Sequence, residues 1–152
     1  MKIKKQNGFT LMELVITVAI IGILSAIVYP SYVSSVQKGK RSDAKVELLR
    51  IAQMQESYFA QNMSYAKTLT QLGLSANTIP SEQNEYNITI GSYSPNNCTG
   101  NNTAPCVSFR LDAVPSGTQV NDTHCPRFTL SSSGRKGTSA SALPAEVRAC
   151  WK

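Results

Sequence analysis

Glu13 is a carboxylate set inside a run of twenty residues, Phe9 to Val28, that is otherwise almost entirely apolar. A short basic leader, Met1 to Gly8 with Lys2, Lys4 and Lys5, stands directly before that run. A charge within a membrane span costs about 2.5–3.5 kcal/mol at mid-bilayer and less near an end. Such an acid calls for a partner close by. Scission of the Gly8–Phe9 bond would create one, because the new Phe9 amine falls within helical i,i+4 reach of Glu13. The chemistry these residues support is peptide cleavage with this chain as the substrate, followed by pairing of the freed cation with the acid.

Four cysteines, Cys98, Cys106, Cys125 and Cys150, form the second reactive set, all in the last third of the chain. None makes a C-x-x-C, and the gaps of 8, 19 and 25 match no common zinc pattern. An even count in a small head beyond a membrane reads as two disulfides in an oxidising compartment. Three pairings are open. The turn-rich stretch Thr99 to Pro105 lies between two strand-like runs, which favours Cys98–Cys106 and leaves Cys125–Cys150 to close the tail. Each bond contributes about 3 kcal/mol on loop-entropy grounds.

Other residues support no reaction. His124 is the one histidine and sits in a turn-like Asn-Asp-Thr-His-Cys-Pro stretch. Gly134-Arg-Lys-Gly137-Thr138 lacks the phosphate-loop spacing and reads as a turn between strand and tail. Glu82 and Glu85 are close together without a convergent partner, and Asn101-Asn-Thr103 is a triplet expected by chance. No enzyme, cofactor or metal is implied.

The elements that position these groups follow from periodicity. Twenty helical residues at 1.5 Å each span the roughly 30 Å of a bilayer core, so 9–30 reads as a transmembrane helix. From Ser34 to Gln61 no proline interrupts, and Ala44, Leu48, Ile51, Ala52, Gln55, Tyr58 and Phe59 recur at steps of three and four. Asp43, Glu47 and Arg50 fall mainly on another face. One helix is therefore expected from about Phe9 to Gln61, roughly 80 Å long. Pro30 should bend it, and Gly22 should weaken it.

Beyond Asn62 the period changes to two. Tyr86–Ile90, Val107–Ala113 and Arg127–Leu130 alternate, each closed by turn residues, which predicts three or four antiparallel strands. The helical stripe needs an apolar partner, and one face of that sheet is available. The expected fold is α+β, a long N-terminal helix, transmembrane in its first half, packed on a small antiparallel sheet. The expected organisation is a leader at 1–8, the span at 9–30, an amphipathic half-helix at 31–61 and a β-rich head at 62–152.

The basic residues give an excess of six, which falls to three without the leader lysines. That is too mild to argue for nucleic acid, which the charge leaves open and no motif supports. Lys38, Lys40, Arg41 and Lys45 rival the leader under the positive-inside rule, so the cysteines decide the orientation: leader in the cytoplasm, head in the periplasm. A conventional signal peptide would need a small-residue cleavage site after the apolar run, and Ser25-Ala26-Ile27-Val28 is a poor one. A plain single-span anchor for a periplasmic binding domain fits the hydropathy but leaves the Gly8-Phe9/Glu13 geometry without a purpose.

Gly8-Phe9-Thr10-Leu11-Met12-Glu13, with its basic leader and long apolar helix, closely resembles the cleavage signature of type IV pilins. Cys125-Pro-Arg-Phe-Thr-Leu and Cys150-Trp151-Lys152 resemble the disulfide-closed loop of PilE-type pilins, several of which are minor subunits. The resemblance implies cleavage after Gly8 by a prepilin peptidase, N-methylation of Phe9, and neutralisation of a neighbour's Phe9 amine by Glu13. It implies that Gly22 to Pro30 is the stretch that loosens on assembly. The implied partners are other pilin subunits and an inner-membrane assembly machinery. The implied location is the inner membrane, then a surface pilus. The pair Cys98–Cys106 departs from the many pilins that have only the C-terminal disulfide. A type II secretion pseudopilin is the alternative, although pseudopilins often lack the closed cysteine loop. The PilE-type features favour a minor, assembly-promoting subunit over the bulk one, while adhesion, twitching motility and DNA uptake depend on exposed loops and stay open here.

Overall fold

The computed structural model describes residues 9–139 and 143–152. The leader, including Gly8, lies outside the described residues. Two units are distinguished, the first ending at Val36 and the second running Gln37–Lys152.

Helix α1 spans Leu11–Asn62. Thr10 caps it, its Oγ1 accepting a hydrogen bond from the Glu13 N–H at 3.2 Å. Thr10 and Glu13 thus stand at the spacing of a capping box, with the acid in the first turn beside the unpaired amides. Thr17 keeps its hydroxyl from being orphaned by donating to the carbonyls of Glu13 and Leu14. The helix is continuous through Gly22 and Pro30, and Pro30 removes the N–H that would have served the Ala26 carbonyl.

In the second unit Ala44, Leu48, Ile51 and Gln55 are buried, one per turn on a single face. Their partners come from the strands: Tyr86 and Ile88 of β2 (Tyr86–Ser94), Phe109, Leu111 and Ala113 of β3 (Ser108–Pro115), Phe128 and Leu130 of β4 (Phe128–Ser131). Alternate residues point into this core because side chains in a strand repeat every second position. The fold is the expected long helix on an antiparallel sheet.

The sheet has five strands rather than three or four, in the order β1-β2-β3-β4-β5, every neighbouring pair antiparallel. The additions are β1 (Ile79–Pro80) and β5 (Lys136–Gly137), each two residues long. Two residues are too few to show a period, so the Gly134 segment reads as a plain turn. It is a hairpin: Gly134 takes φ +73°, a left-handed conformation that favours glycine, and Ser131 and Arg135 pair across it. The expected tail is helix α2 (Pro144–Trp151), opened by Pro144 and by the Glu146 carboxylate, which accepts from the Leu143 N–H. The Trp151 Nε1–H donates to the Gly137 carbonyl at 2.8 Å, and its ring meets Phe128 edge-on at 5.6 Å.

Disulfides join Cys98 to Cys106 and Cys125 to Cys150. The first closes the loop between β2 and β3. That loop is tied back to the segment after α1, since the Cys106 N–H donates to Ser64 Oγ and the Tyr65 N–H to the Cys106 carbonyl.

Gln55 is the polar member of the core stripe. Its Nε2 donates to the Ala66 carbonyl at 3.0 Å and its Oε1 accepts from the Ala66 N–H at 2.8 Å, so one side chain satisfies both backbone groups of a buried turn. Gln55→Ala strands both groups and should cost about 2–4 kcal/mol, read as a loss of denaturant midpoint with unchanged slope.

Candidate functional site

Every residue from Phe9 to Val36 is exposed, with Phe9 at 84% and Leu11 at 82%. The apolar window has a mean hydropathy of 2.6 and none of it is buried. An open cleft of about 390 Å³ along this segment is walled by Ile21, Leu24, Ser25, Val28, Tyr29 and Tyr32. A side chain at Gly22 would meet nothing within 4 Å, so nothing inside this chain requires glycine there. Phe9, Glu13, Gly22 and Pro30 thus lie along one uncovered helical segment, as a surface to be filled by something else.

A second constellation escapes sequence reading. Arg41 grips Asp122 with two hydrogen bonds, 2.6 Å from Nε and 2.7 Å from Nη2. The Asp122 side chain is 1% exposed and also accepts from Gln119 Nε2 and from the His124 and Cys125 amides. Burial works to raise the Asp122 pKa, but the Arg41 guanidinium and the two amides outweigh it and hold the carboxyl below its ordinary value. Hydrogen bonding to Asp122 raises Arg41 in turn. Lys40 similarly holds the Glu85 carboxyl down, bonded at 2.6 Å and assisted by Thr118 and the Gln119 amide. Burial pushes the Tyr86 phenol up to about 12, so it stays neutral beneath these pairs. In the sequence Lys40 and Arg41 weigh only in the charge balance across a membrane. Their partners lie 45 and 81 residues away, and no local pattern announces them. His124 contributes its backbone, and Glu85 is an ion-pair partner.

The sheet face turned away from the α1 stripe carries a different charge. Arg110 and Asp112 are two apart on β3 and Arg127 immediately precedes β4, so all three stand on that face opposite Leu111 and Phe128. Arg110, Arg127 and Arg135 line a groove of about 760 Å³ that Lys136, Tyr93 and several serines complete, while Asp112 lies beneath Arg110 and outside that lining. Asp112 accepts from Arg110 Nε at 2.9 Å and Nη2 at 3.2 Å, and Arg127 Nη1 lies 3.9 Å away. Such a surface can hold a phosphate chain; it offers no nucleophile and base in hydrogen-bond reach.

A helix left apolar and uncovered in its first half, with its second half packed on an antiparallel meander closed by a C-terminal cysteine pair, defines a pilin-type subunit. Residues 3–29 match the prokaryotic N-terminal methylation motif, and residues 30–129 match the family described as type IV minor pilin ComP, DNA uptake sequence receptor. The chain belongs to the type IV minor pilin ComP family. It is 33% identical over 121 residues to the type IV major pilin protein PilA of Myxococcus xanthus, an alignment that covers 72% of this chain and 53% of that protein. It is 38% identical over 76 residues to the type II secretion system core protein G of Pseudomonas aeruginosa, covering 50% and 52%. The chain therefore spans about half the length of the curated relatives it matches. A type IV pilin structure from Shewanella oneidensis aligns with 70% of this chain and 97% of that one, at a TM-score of 0.45 and 23% identity.

The depressed folded pKa values of Asp122 and Glu85 fix the sign of the head's acid response. Their stabilisation is complete above the ordinary carboxylate range near 4 and is lost as pH falls through the lower folded values. Asp122→Asn leaves Arg41 without its counter-charge and should cost about 3 kcal/mol near neutral pH. Thermal unfolding followed from pH 7 down to 2 should show the variant losing less stability below pH 4 than the parent does.

Proposed function

We propose that this chain is a minor subunit of a type IV pilus, made as a membrane-anchored precursor and polymerised through its N-terminal helix. In this reading a prepilin peptidase cuts after Gly8 on the cytoplasmic side and methylates Phe9. The head, 62–152, faces the periplasm, and the inner-membrane assembly machinery moves the subunit from bilayer to filament. Residues 9–30 then exchange lipid for the helices of other pilin subunits. Glu13 pairs with the Phe9 amine of a neighbour, and Gly22 to Pro30, where the backbone is weakest, adapts to the filament.

The observation that carries this reading is the fully exposed apolar segment with a single acid in its first turn. A lipid anchor alone has no use for that acid, whereas a helical array with a free amine at each start does. Type II secretion pseudopilins share the first part of the pattern, since the core protein G relative aligns with half of this chain. The Cys125–Cys150 closure and the family match over 30–129 favour the pilus.

A second role is supported by a separate observation. The family description names a DNA uptake sequence receptor, and the sheet face bearing Arg110, Arg127 and Arg135 supplies exposed cations beside a groove with no acid among its lining residues. We infer that the pilus-borne head uses this face to hold duplex DNA by its phosphates.

Glu13→Ala should leave the protein inserted and cleaved, with a mature N-terminus one methyl group heavier than unmodified Phe9, while removing it from sheared filaments. Equal recovery of variant and parent in filaments would overturn the assembly reading. For DNA, the full chain in neutral detergent should bind duplex with a log–log salt slope of about −3, as expected for three phosphate contacts. Absence of binding at low salt would remove the DNA role and leave the pilus role standing.

A further inference from the structure

We propose that Asp112 is a positioning residue that, with Gly91, fixes the Arg110 guanidinium and draws Arg127 beside it for adjacent phosphate diesters; this rests on the DNA reading above. Asp112 is unusual for its place. It lies on the outer face of the sheet, among residues that alternate outward, yet its side chain is 9% exposed, whereas Arg110 and Arg127 are each 46% exposed. A buried carboxylate is costly unless it is paired and hydrogen-bonded. Here the pairing comes from the two arginines that front the groove.

The space for that carboxylate is made by the neighbouring strand. The register between β2 and β3 shifts between Ile90 and Ser92, leaving Gly91 as the extra residue of a bulge. A Cβ on Gly91 would overlap the Asp112 carboxylate. Gly91 is not in a left-handed conformation, so its glycine is required by the acid and not by the backbone. Bulge, glycine and acid therefore form one device that seats a negative charge under the basic face.

The consequence lies in how an arginine meets phosphate. Its planar fork recognises two oxygens at once, but a free side chain with several rotatable bonds loses that freedom on binding. Asp112 engages Nε and Nη2 of Arg110, fixes the plane of its guanidinium and leaves Nη1 of this groove-lining residue free of that carboxylate. Arg127 is drawn to the same carboxylate from the β4 side. Because the acid lies below the surface, it orients Arg110 and attracts Arg127 from beneath.

Charge and position predict opposite signs, which makes the test decisive. If Asp112 acted only as a negative charge, removing it would tighten binding to any polyanion. The full chain in neutral detergent is measured for affinity to duplex DNA and for retention on heparin, a flexible polyanion that reads net charge. Asp112→Asn and Gly91→Ala should each weaken DNA binding about fivefold. Heparin retention should rise for Asp112→Asn and hold for Gly91→Ala, whose charge is unchanged. Either variant binding DNA as tightly as the parent overturns the assignment. A variant that unfolds loses both ligands. In that case the exposed Arg127→Lys, which keeps the charge and loses the fork, should weaken DNA alone, and parental affinity there overturns the proposal. A parent chain that binds no DNA fails the underlying reading instead, a result separable from failure of these variants alone.

Discussion

The physical constraint on which this protein turns is an apolar helical surface that water cannot be left to cover. From Phe9 to Val36 every residue is exposed. Burying each of the leucine, isoleucine and valine side chains in that segment stabilises by about 1.5–3 kcal/mol, which sums to tens of kcal/mol. The opposing term is Glu13, at about 2.5–3.5 kcal/mol in mid-bilayer and less where it sits, close to the start of the span. Burial wins by roughly an order of magnitude. The segment must therefore always have a cover, and the acid decides which cover is best.

The head solves the converse problem, holding a small core firmly to a helix that continues beyond it. Apolar contact alone is the smaller part of the specificity, because a stripe of Ala44, Leu48 and Ile51 could slide by a turn on a flat sheet. Three polar attachments fix the register. Gln55 locks the far end to Ala66, Arg41 locks the near end to Asp122, and Lys40 reaches Glu85. Asp122 also takes the amides next to Cys125, so the cysteine-closed loop is anchored to the helix through one carboxylate. The Trp151 indole then pins α2 to β5.

The parts of this architecture legible in the sequence were those with a long period. The apolar helical run, the amphipathic stripe and strands β2, β3 and β4 each repeat a pattern over several residues, and each is present as helix or strand. Elements β1 and β5 are invisible because two residues have no period, and they exist only because β2 and β4 offer open edges. Helix α2 is eight residues long and weakly patterned, and what holds it is the Cys125–Cys150 disulfide, a distant glycine carbonyl and an aromatic edge rather than a long apolar stripe. Gln55 reads as a flaw in an apolar stripe until Ala66 is placed beside it. Asp122 looks like a turn residue next to a histidine, whereas its environment is made by Arg41, 81 positions earlier. The elements were written locally; the polar contacts that join them were not.

The basic face is the clearest case of a property that no sum over the chain reveals. A net excess of six, or three without the leader lysines, is unremarkable, but most of the acids are spent where they stand. Glu47 is held by Arg50, Glu85 by Lys40, Asp122 by Arg41, Glu146 by the start of α2, and Asp43 by the Gln83 amide. Held by those partners, the five acids stand outside the groove lining, which leaves Arg110, Arg127 and Arg135 exposed there. The one acid close enough to matter, Asp112, is sunk beneath the surface and leaves the rim cationic. What an approaching polyanion meets is therefore set by the strand alternation that puts positions 110, 127 and 129 on one side of the sheet and their apolar neighbours on the other. The period of two that builds the core also sorts the charge.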